Sequence, residues 1–376
     1  MKKIAIICCS LMLCIICLCL CCCVKQVYMA SKTYYDVFGT VLQITILLND
    51  DKSIKKAEKD IDIIVANMRR LESIISANEL RYPNSDIAKF NKLKKDESVN
   101  ISDETAELFK LSKTLYEITE GAFDPSVYYL VDFWGFSDFG NGLNIKNEKP
   151  VLNSHLLEKL KKTVGFSMVN ISGEKGSYKL TKSALPVYYN EVLLQLRLDF
   201  GAIGKGFAVD LMKDAIVKCG YNSGFISLGG SSIYALENLQ SKDGFEIELV
   251  NPRSNSEQYY GKTYAFNEAV SSSGDYQRYF IENGRRYSHL IDSVSGFPIN
   301  NNVAMVTVIS QSAAVGDALT TAFSVMGKQK VKIFAQSEYF KKNDLKYALV
   351  VDNGETLIVS GNLSPTITDK KYIIEN

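Results

Sequence analysis

Cysteine and histidine are almost missing from most of this chain, and long basic runs are missing altogether. Nine of the 376 residues are cysteine, and eight of them (Cys8, Cys9, Cys14, Cys17, Cys19, Cys21, Cys22 and Cys23) fall in the first 24 positions. Only Cys219 follows, so no internal disulfide can form in the body, whose stability must come from its core. Two histidines, His155 and His289, leave no zinc-ligand spacing, and the dense cysteines lie irregularly inside apolar sequence, which argues against a metal site there. Formal net charge is +1, which gives no electrostatic reason for a polyanionic partner and disfavours nucleic acid. Repeats are absent, as is any low-complexity linker after residue 30. Hydrophobic residues at 46 % and charged residues at 23 % instead fit a packed globular body, one large domain or two ordinary ones.

The chain does have one long hydrophobic run. Lys2 and Lys3 precede an apolar, cysteine-rich stretch from Ile4 to Val24, the shape of an export signal. Three readings stay open. Leu20-Cys21-Cys22-Cys23 loosely fits the end of a bacterial lipoprotein signal; the run also reaches the roughly 20 residues of a spanning anchor; and it could be a signal that is simply removed. Either anchor places the body, residues 25–376, outside the cytoplasm and on the cytoplasmic membrane.

Periodicity sketches that body. "YDVFGTVLQITILL" (35–48) reads as a strand interrupted at Gly39-Thr40. Ile61, Ile63, Ile64, Met68, Leu71, Ile74 and Ile75 recur at helical spacing in a long amphipathic helix. A second helix spans "ISDETAELFKLSKTLYEITEG", with Ser102 or Asp103 as N-cap and Gly121 as C-cap. Residues 137–197 are polar and irregular, with a hairpin at "VNISGEKGSYKLT". A helix at "FAVDLMKDAIVKCG" and a strand at "SGFISLGG" come next. Short strands follow at "KTYAFNEAVSSSG", "RYFIENGRRYSHLID" and "NVAMVTVIS", then a helix at "SAAVGDALTTAFSVMG" and a strand pair at "YALVVDNG" and "TLIVSGN". The mixture predicts an α+β fold of mostly antiparallel sheets flanked by helices.

The segment "LDFGAIGKGFAVD" (198–210) is the least generic. Walker A fails because Lys205 is followed by Gly206, and the dinucleotide fingerprint fails on spacing and on the place of Asp199. What remains is physical: Gly201, Gly204 and Gly206 allow close backbone approach, Lys205 carries positive charge, and a helix begins beside them. A tight turn with a solvated lysine is the alternative. Asp317 and Thr321 stand at i, i+4 and offer oxygen ligands for a hard cation, or else form a solvated pair. His289 suits general-base work or a structural role.

Six ordered motifs, "FGT", "GAFDPSV..LVDFWGF", "LDFGAIGKGFAVD", "SLGG", "SSGDYQRYF…YSHLIDSVSGFP" and "SAAVGDALTTAFSVMG", together resemble the FAD:protein FMN transferases, the ApbE family, over about residues 33–362. The resemblance implies a single catalytic body of ApbE-like, T-fold-like architecture. It implies a Mg²⁺-dependent enzyme that moves FMN from FAD onto a Thr or Ser hydroxyl of a target protein and releases AMP. The target would be an FMN-binding domain or a subunit of a membrane redox complex. By motif match, Ala122, Phe123, Asp124, Asp199, Lys205 and Ile291 would contact FAD; Ala202, Asp317 and Thr321 would hold the metal; His289 in "YSHLID" would be the catalytic base, and Asp292 would support that segment. Phe38 replaces the family's usual Met at the flavin pocket, Asn78 stands where Tyr is common, and Ser293 replaces a proline. Asn78 keeps open FAD hydrolysis to FMN and AMP. A non-catalytic flavin-binding lipoprotein is the third reading.

Overall fold

The computed structural model describes residues 26–137, 154–254, 258–353 and 357–375. The N-terminal run and its cysteines, with the anchor question they raise, lie outside the described residues. Among the described residues no helix is long and apolar enough to cross a membrane.

A mixed sheet forms the frame, as the α+β expectation requires. Its strand order is Tyr28–Val37, Thr40–Leu48, Gly224–Leu228, Ser232–Ala235, Glu268–Gly274, Val303–Ser310, Lys346–Asp352, Leu357–Ser360 and Tyr372–Glu375. Neighbours run antiparallel except the final pair, which is parallel. "YDVFGTVLQITILL" is not one interrupted strand. Phe38 and Gly39, both at positive φ (52° and 68°), turn the chain into a hairpin in which Val37 faces Thr40. Two consecutive positive φ values are the geometry of the tight turn that matches strand twist. "KTYAFNEAVSSSG" likewise splits at Asn267 (φ 51°). Tyr259–Ala265 joins a small sheet with Phe245–Val250 and Thr366–Ile367, and Glu268–Gly274 joins the large one.

Strand Val303–Ser310 is buried at every position. Val306 and Val308 face the main core, whereas Met305 and Ile309 face a second core under the small sheet. A strand covered on both faces reads as a continuous apolar run, which explains "NVAMVTVIS".

Four helices matter for the site. Helix α1 (Ile54–Ile75) buries Ala57, Ile61, Ile64, Val65, Met68, Leu71 and Ile75 along one stripe. Each of the Ile, Val, Met and Leu side chains contributes about 1.5–3 kcal/mol relative to exposure. Helix α2 (Asp103–Ile118) starts at Ser102, whose hydroxyl accepts from the Thr105 N–H, and stops where the Gly121 N–H reaches back to the Tyr116 carbonyl. Helix α3 (Gly204–Lys218) begins three residues earlier than "FAVDLMKDAIVKCG" suggests. Helix α4 (Ala313–Phe334) runs past Gly327, which kinks it at φ 70°. The expected hairpin near 169–182 forms from Val169–Ser172 and Lys179–Lys182.

Candidate active site

The loop before α3 is held at three points. The Asn91 side chain donates to the Leu198 carbonyl (3.0 Å) and accepts from its N–H (2.8 Å). The Asp199 N–H donates to the Pro125 carbonyl (2.8 Å), while the Asp199 carboxylate accepts from the Gly201 N–H (2.9 Å). The chain then turns through Ala202 into α3, with Lys205 in its first turn.

Helices α3 and α4 start against each other. Asp210 on α3 accepts from the Ser312 hydroxyl (2.6 Å) and from the Ala313 and Ala314 N–H groups (2.7 and 3.0 Å) at the α4 N-terminus. A β-carbon on Gly206 would lie 2.2 Å from the Ala313 carbonyl oxygen, so glycine is required there by the helix contact rather than by a ligand. One turn into α4, the buried Asp317 carboxylate accepts from the Gly206 N–H (3.0 Å) and lies 3.9 Å from the Lys205 ammonium. Burial raises its pKa, opposed by that lysine. Because the Gly206 N–H turns to Asp317, the Ala202 carbonyl four residues back loses its usual helical donor.

The expected metal residues therefore converge. Ala202, Asp317 and Thr321 line one cleft, and a carbonyl, a carboxylate and a hydroxyl are hard oxygen donors suited to Mg²⁺. With one carboxylate among them, the set fits an ion that takes its other ligands from substrate phosphates and water. Among the described residues, no cluster of three or more His, Cys, Asp or Glu offers an alternative metal site.

His289 lines the same cleft, half-buried. Its Nδ1 lies 3.3 Å from the Arg278 carbonyl, which also accepts from the His289 backbone N–H (3.0 Å). A carbonyl only accepts, so Nδ1 carries the proton and Nε2 keeps its lone pair. Burial, followed by the Arg278 and Lys205 charges, pushes the imidazole pKa down to about 4, so the ring is neutral near pH 7. Asp292 does not line the cleft. Its carboxylate accepts from the Val294 N–H (3.0 Å) and, more weakly, from Ser295, holding the 292–297 turn. Trp134 donates to the Gly296 carbonyl (2.8 Å) and stacks on Tyr287, which joins "DFWGF" to "SGFP". Ser293 adds what a proline could not: its hydroxyl donates to the Gly121 carbonyl (3.1 Å).

The cleft has two compartments, of about 490 and 560 Å³. The first is lined by Ala122, Phe123, Asp124, Ala202, His289, Ile291, Asp317 and Thr321. Asp124 is buried and shares its carboxylate with the Ser126 N–H (2.7 Å) and hydroxyl (2.5 Å); burial raises its pKa. The second is lined by Phe38, Asn78, Tyr82 and Phe136. Asn78 caps a turn by accepting from the Leu80 and Arg81 N–H groups, and Tyr82 and Phe136 line other parts of the same compartment. Asp199 and Lys205 line both compartments. Tyr82, Arg278 and Asp210 escape a reading of the sequence, since only tertiary contact brings them to the site.

The model of the ApbE family matches residues 38–345. This chain belongs to the ApbE family. An FAD:protein FMN transferase of Haemophilus influenzae is 28 % identical over 338 residues, 88 % of each chain. One from Vibrio cholerae is 27 % identical over 304 residues, covering 80 % of this chain and 83 % of that one. The apo crystal structure of the Pseudomonas stutzeri flavinyl transferase ApbE superimposes with a TM-score of 0.71 at 26 % identity, covering 90 % of this chain and 96 % of that one. The ApbE flavin transferase of Vibrio cholerae shares the fold at a TM-score of 0.70. Strand order and helix placement here are thus an ApbE fold with mixed α and β layers.

Proposed function

We propose that this ApbE-family chain is an FAD:protein FMN transferase that attaches FMN to a Thr or Ser hydroxyl of a target protein. The observation that carries this reading is the meeting, in one cleft, of an imidazole whose Nδ1 faces a carbonyl, leaving Nε2 to accept, and the Ala202, Asp317 and Thr321 oxygens. The acceptor oxygen bonds to the FMN-side phosphorus of FAD as that phosphorus loses its bond to the bridging oxygen. Nε2 of His289 takes the hydroxyl proton, and AMP leaves with the bridging oxygen. General-base help of this kind is typically worth ~10²–10⁴ in rate. Ala202, Asp317 and Thr321 would hold Mg²⁺, which would neutralise charge on the phosphate oxygens when bound. Lys205 and Asp199 flank the diphosphate path, and the Arg278 carbonyl fixes the tautomer of the base.

The basic-then-apolar N-terminal run supports a body anchored outside the cytoplasm, facing a membrane redox subunit or an exported FMN-binding domain. Hydrolysis is the second reading. It is favoured by Asn78, whose side chain is spent on a turn and places no ring over the cofactor. Chromatography of the nucleotide products separates the two. With Mg²⁺ and FAD, AMP that appears only when an acceptor domain is present supports transfer; equal AMP and FMN without any acceptor overturns it in favour of hydrolysis.

A further inference from the structure

Five residues line both compartments of the cleft: Val131, Asp199, Gly201, Lys205 and Arg278. A molecule with one half in each compartment must pass its link between them. Two of the five are cations. The Lys205 ammonium is turned toward buried Asp317 at 3.9 Å, and the Asp199 carboxylate is engaged by the Gly201 N–H. Arg278 is the second cation at the junction. Its Nη1 donates to the Phe136 carbonyl (3.0 Å), which ties one arm of the guanidinium to the wall of the second compartment, and its own carbonyl holds His289. A guanidinium presents its N–H groups as a rigid fork that fits phosphate oxygens in pairs, whereas a lysine offers a point charge.

We propose that Arg278 is a catalytic residue of the transfer: its guanidinium clamps the diphosphate at the junction and stabilises the charge that gathers on the departing phosphate, while its carbonyl orients the base. The inference rests on the transferase reading. The lowered pKa of His289, in which Arg278 is the leading charge after burial, fits a guanidinium whose field reaches the reacting centre. Arg278→Ala keeps the carbonyl and removes the fork, so it separates the two duties.

The test is calorimetric binding of ADP, FAD and riboflavin to wild type, Arg278→Ala and Arg278→Lys, without metal, alongside the kcat and KM of transfer. The expected result is ADP and FAD bound roughly 10- to 100-fold more weakly by Arg278→Ala, the scale of lost charge-assisted bonds, with riboflavin, which has no phosphate, unchanged. Arg278→Lys should recover part of the affinity and less of kcat. In Arg278→Ala the His289 ring, followed by NMR, should titrate at higher pH than in wild type. ADP affinity within twofold of wild type would overturn the proposal, as would equal losses for ADP and riboflavin, the mark of a merely structural role. Should Arg278→Ala not fold, Arg278→Lys decides, because ADP affinity and kcat equal to wild type there would exclude a fork. A chain that transfers no FMN yet binds ADP through Arg278 keeps the clamp and sinks the transferase reading.

Discussion

Gly206 and Gly204 stand two positions apart in "GAIGKG", yet the structure gives them opposite tolerances. A β-carbon on Gly206 would meet the Ala313 carbonyl oxygen at 2.2 Å, its carbonyl carbon at 2.5 Å and the Ala314 nitrogen at 2.7 Å. All three are backbone atoms of the α4 N-terminus, which Asp210 pins in place, so relief requires one helix to slide by about 1 Å to restore ordinary contact. Overpacking of this kind costs typically 1–3 kcal/mol, and weakening the Gly206 N–H bond to the Asp317 carboxylate adds about 1.5–3 kcal/mol. Ala returns only ~1 kcal/mol of helix propensity. Gly206→Ala should therefore lose about 2–5 kcal/mol in urea unfolding. Transfer activity should fall on the order of 10²-fold, because a shift of that size moves Asp317 against Ala202. Gly204→Ala is the control. Its β-carbon would come no closer than 3.9 Å, to Ile75 and Phe38, and its φ is not positive. It should be neutral or stabilised by up to ~1 kcal/mol in the same unfolding measurement. A Gly206→Ala protein as stable and active as wild type would refute the argument that this glycine serves the helix contact.

Three further outcomes follow from the site and core. Asp317→Ala should abolish Mg²⁺-dependent turnover and any thermal shift caused by Mg²⁺; retained turnover would rule out the proposed metal residues. His289→Ala should slow transfer ~10²–10⁴-fold while FAD affinity stays near wild type. Since its imidazole is held near a pKa of 4, the acid limb of kcat/KM should fall near pH 4, and a limb near 6.5 would contradict the burial argument. Lys182 is fully buried, with its ammonium 2.8 Å from the Leu93 carbonyl, and burial pushes its pKa down to about 7. The unfolded chain then binds the extra proton between about pH 7 and 10.4, so stability should rise with pH across that window. Lys182→Met should flatten the rise in urea midpoints measured from pH 7 to 10, and an unaltered slope would exclude Lys182 as its source.

Local patterns carried the helices and failed at turns and contacts. The stripe from Ile61 to Ile75 specifies α1 because every member meets the same core, and Ser102 announces α2 by its cap. The Phe38-Gly39 turn lacks the Asn-Gly or Asp-Gly pair that marks such hairpins, so it reads as an interruption. Asn267 breaks a strand only because the two halves have different sheets to join, which no window of residues contains. The motif residues His289, Asp317, Thr321, Ala202 and Lys205 line one cleft. Asp292 lies outside the cleft lining, and its carboxylate holds the 292–297 turn that follows the segment carrying His289. The glycines of the 201–206 loop were legible as a need for close approach, but not as helix against helix at Gly206. Arg278 and Tyr82 were invisible for the same reason: their roles exist only across long-range contacts.

The central claim is most directly tested by the intact mass of an acceptor domain after incubation with FAD, Mg²⁺ and the body from residue 25 onward. The account predicts an acceptor heavier by one FMN, located at a Thr or Ser by peptide mapping, with one AMP released per modified chain. An acceptor of unchanged mass while FAD is split into free FMN and AMP would contradict it.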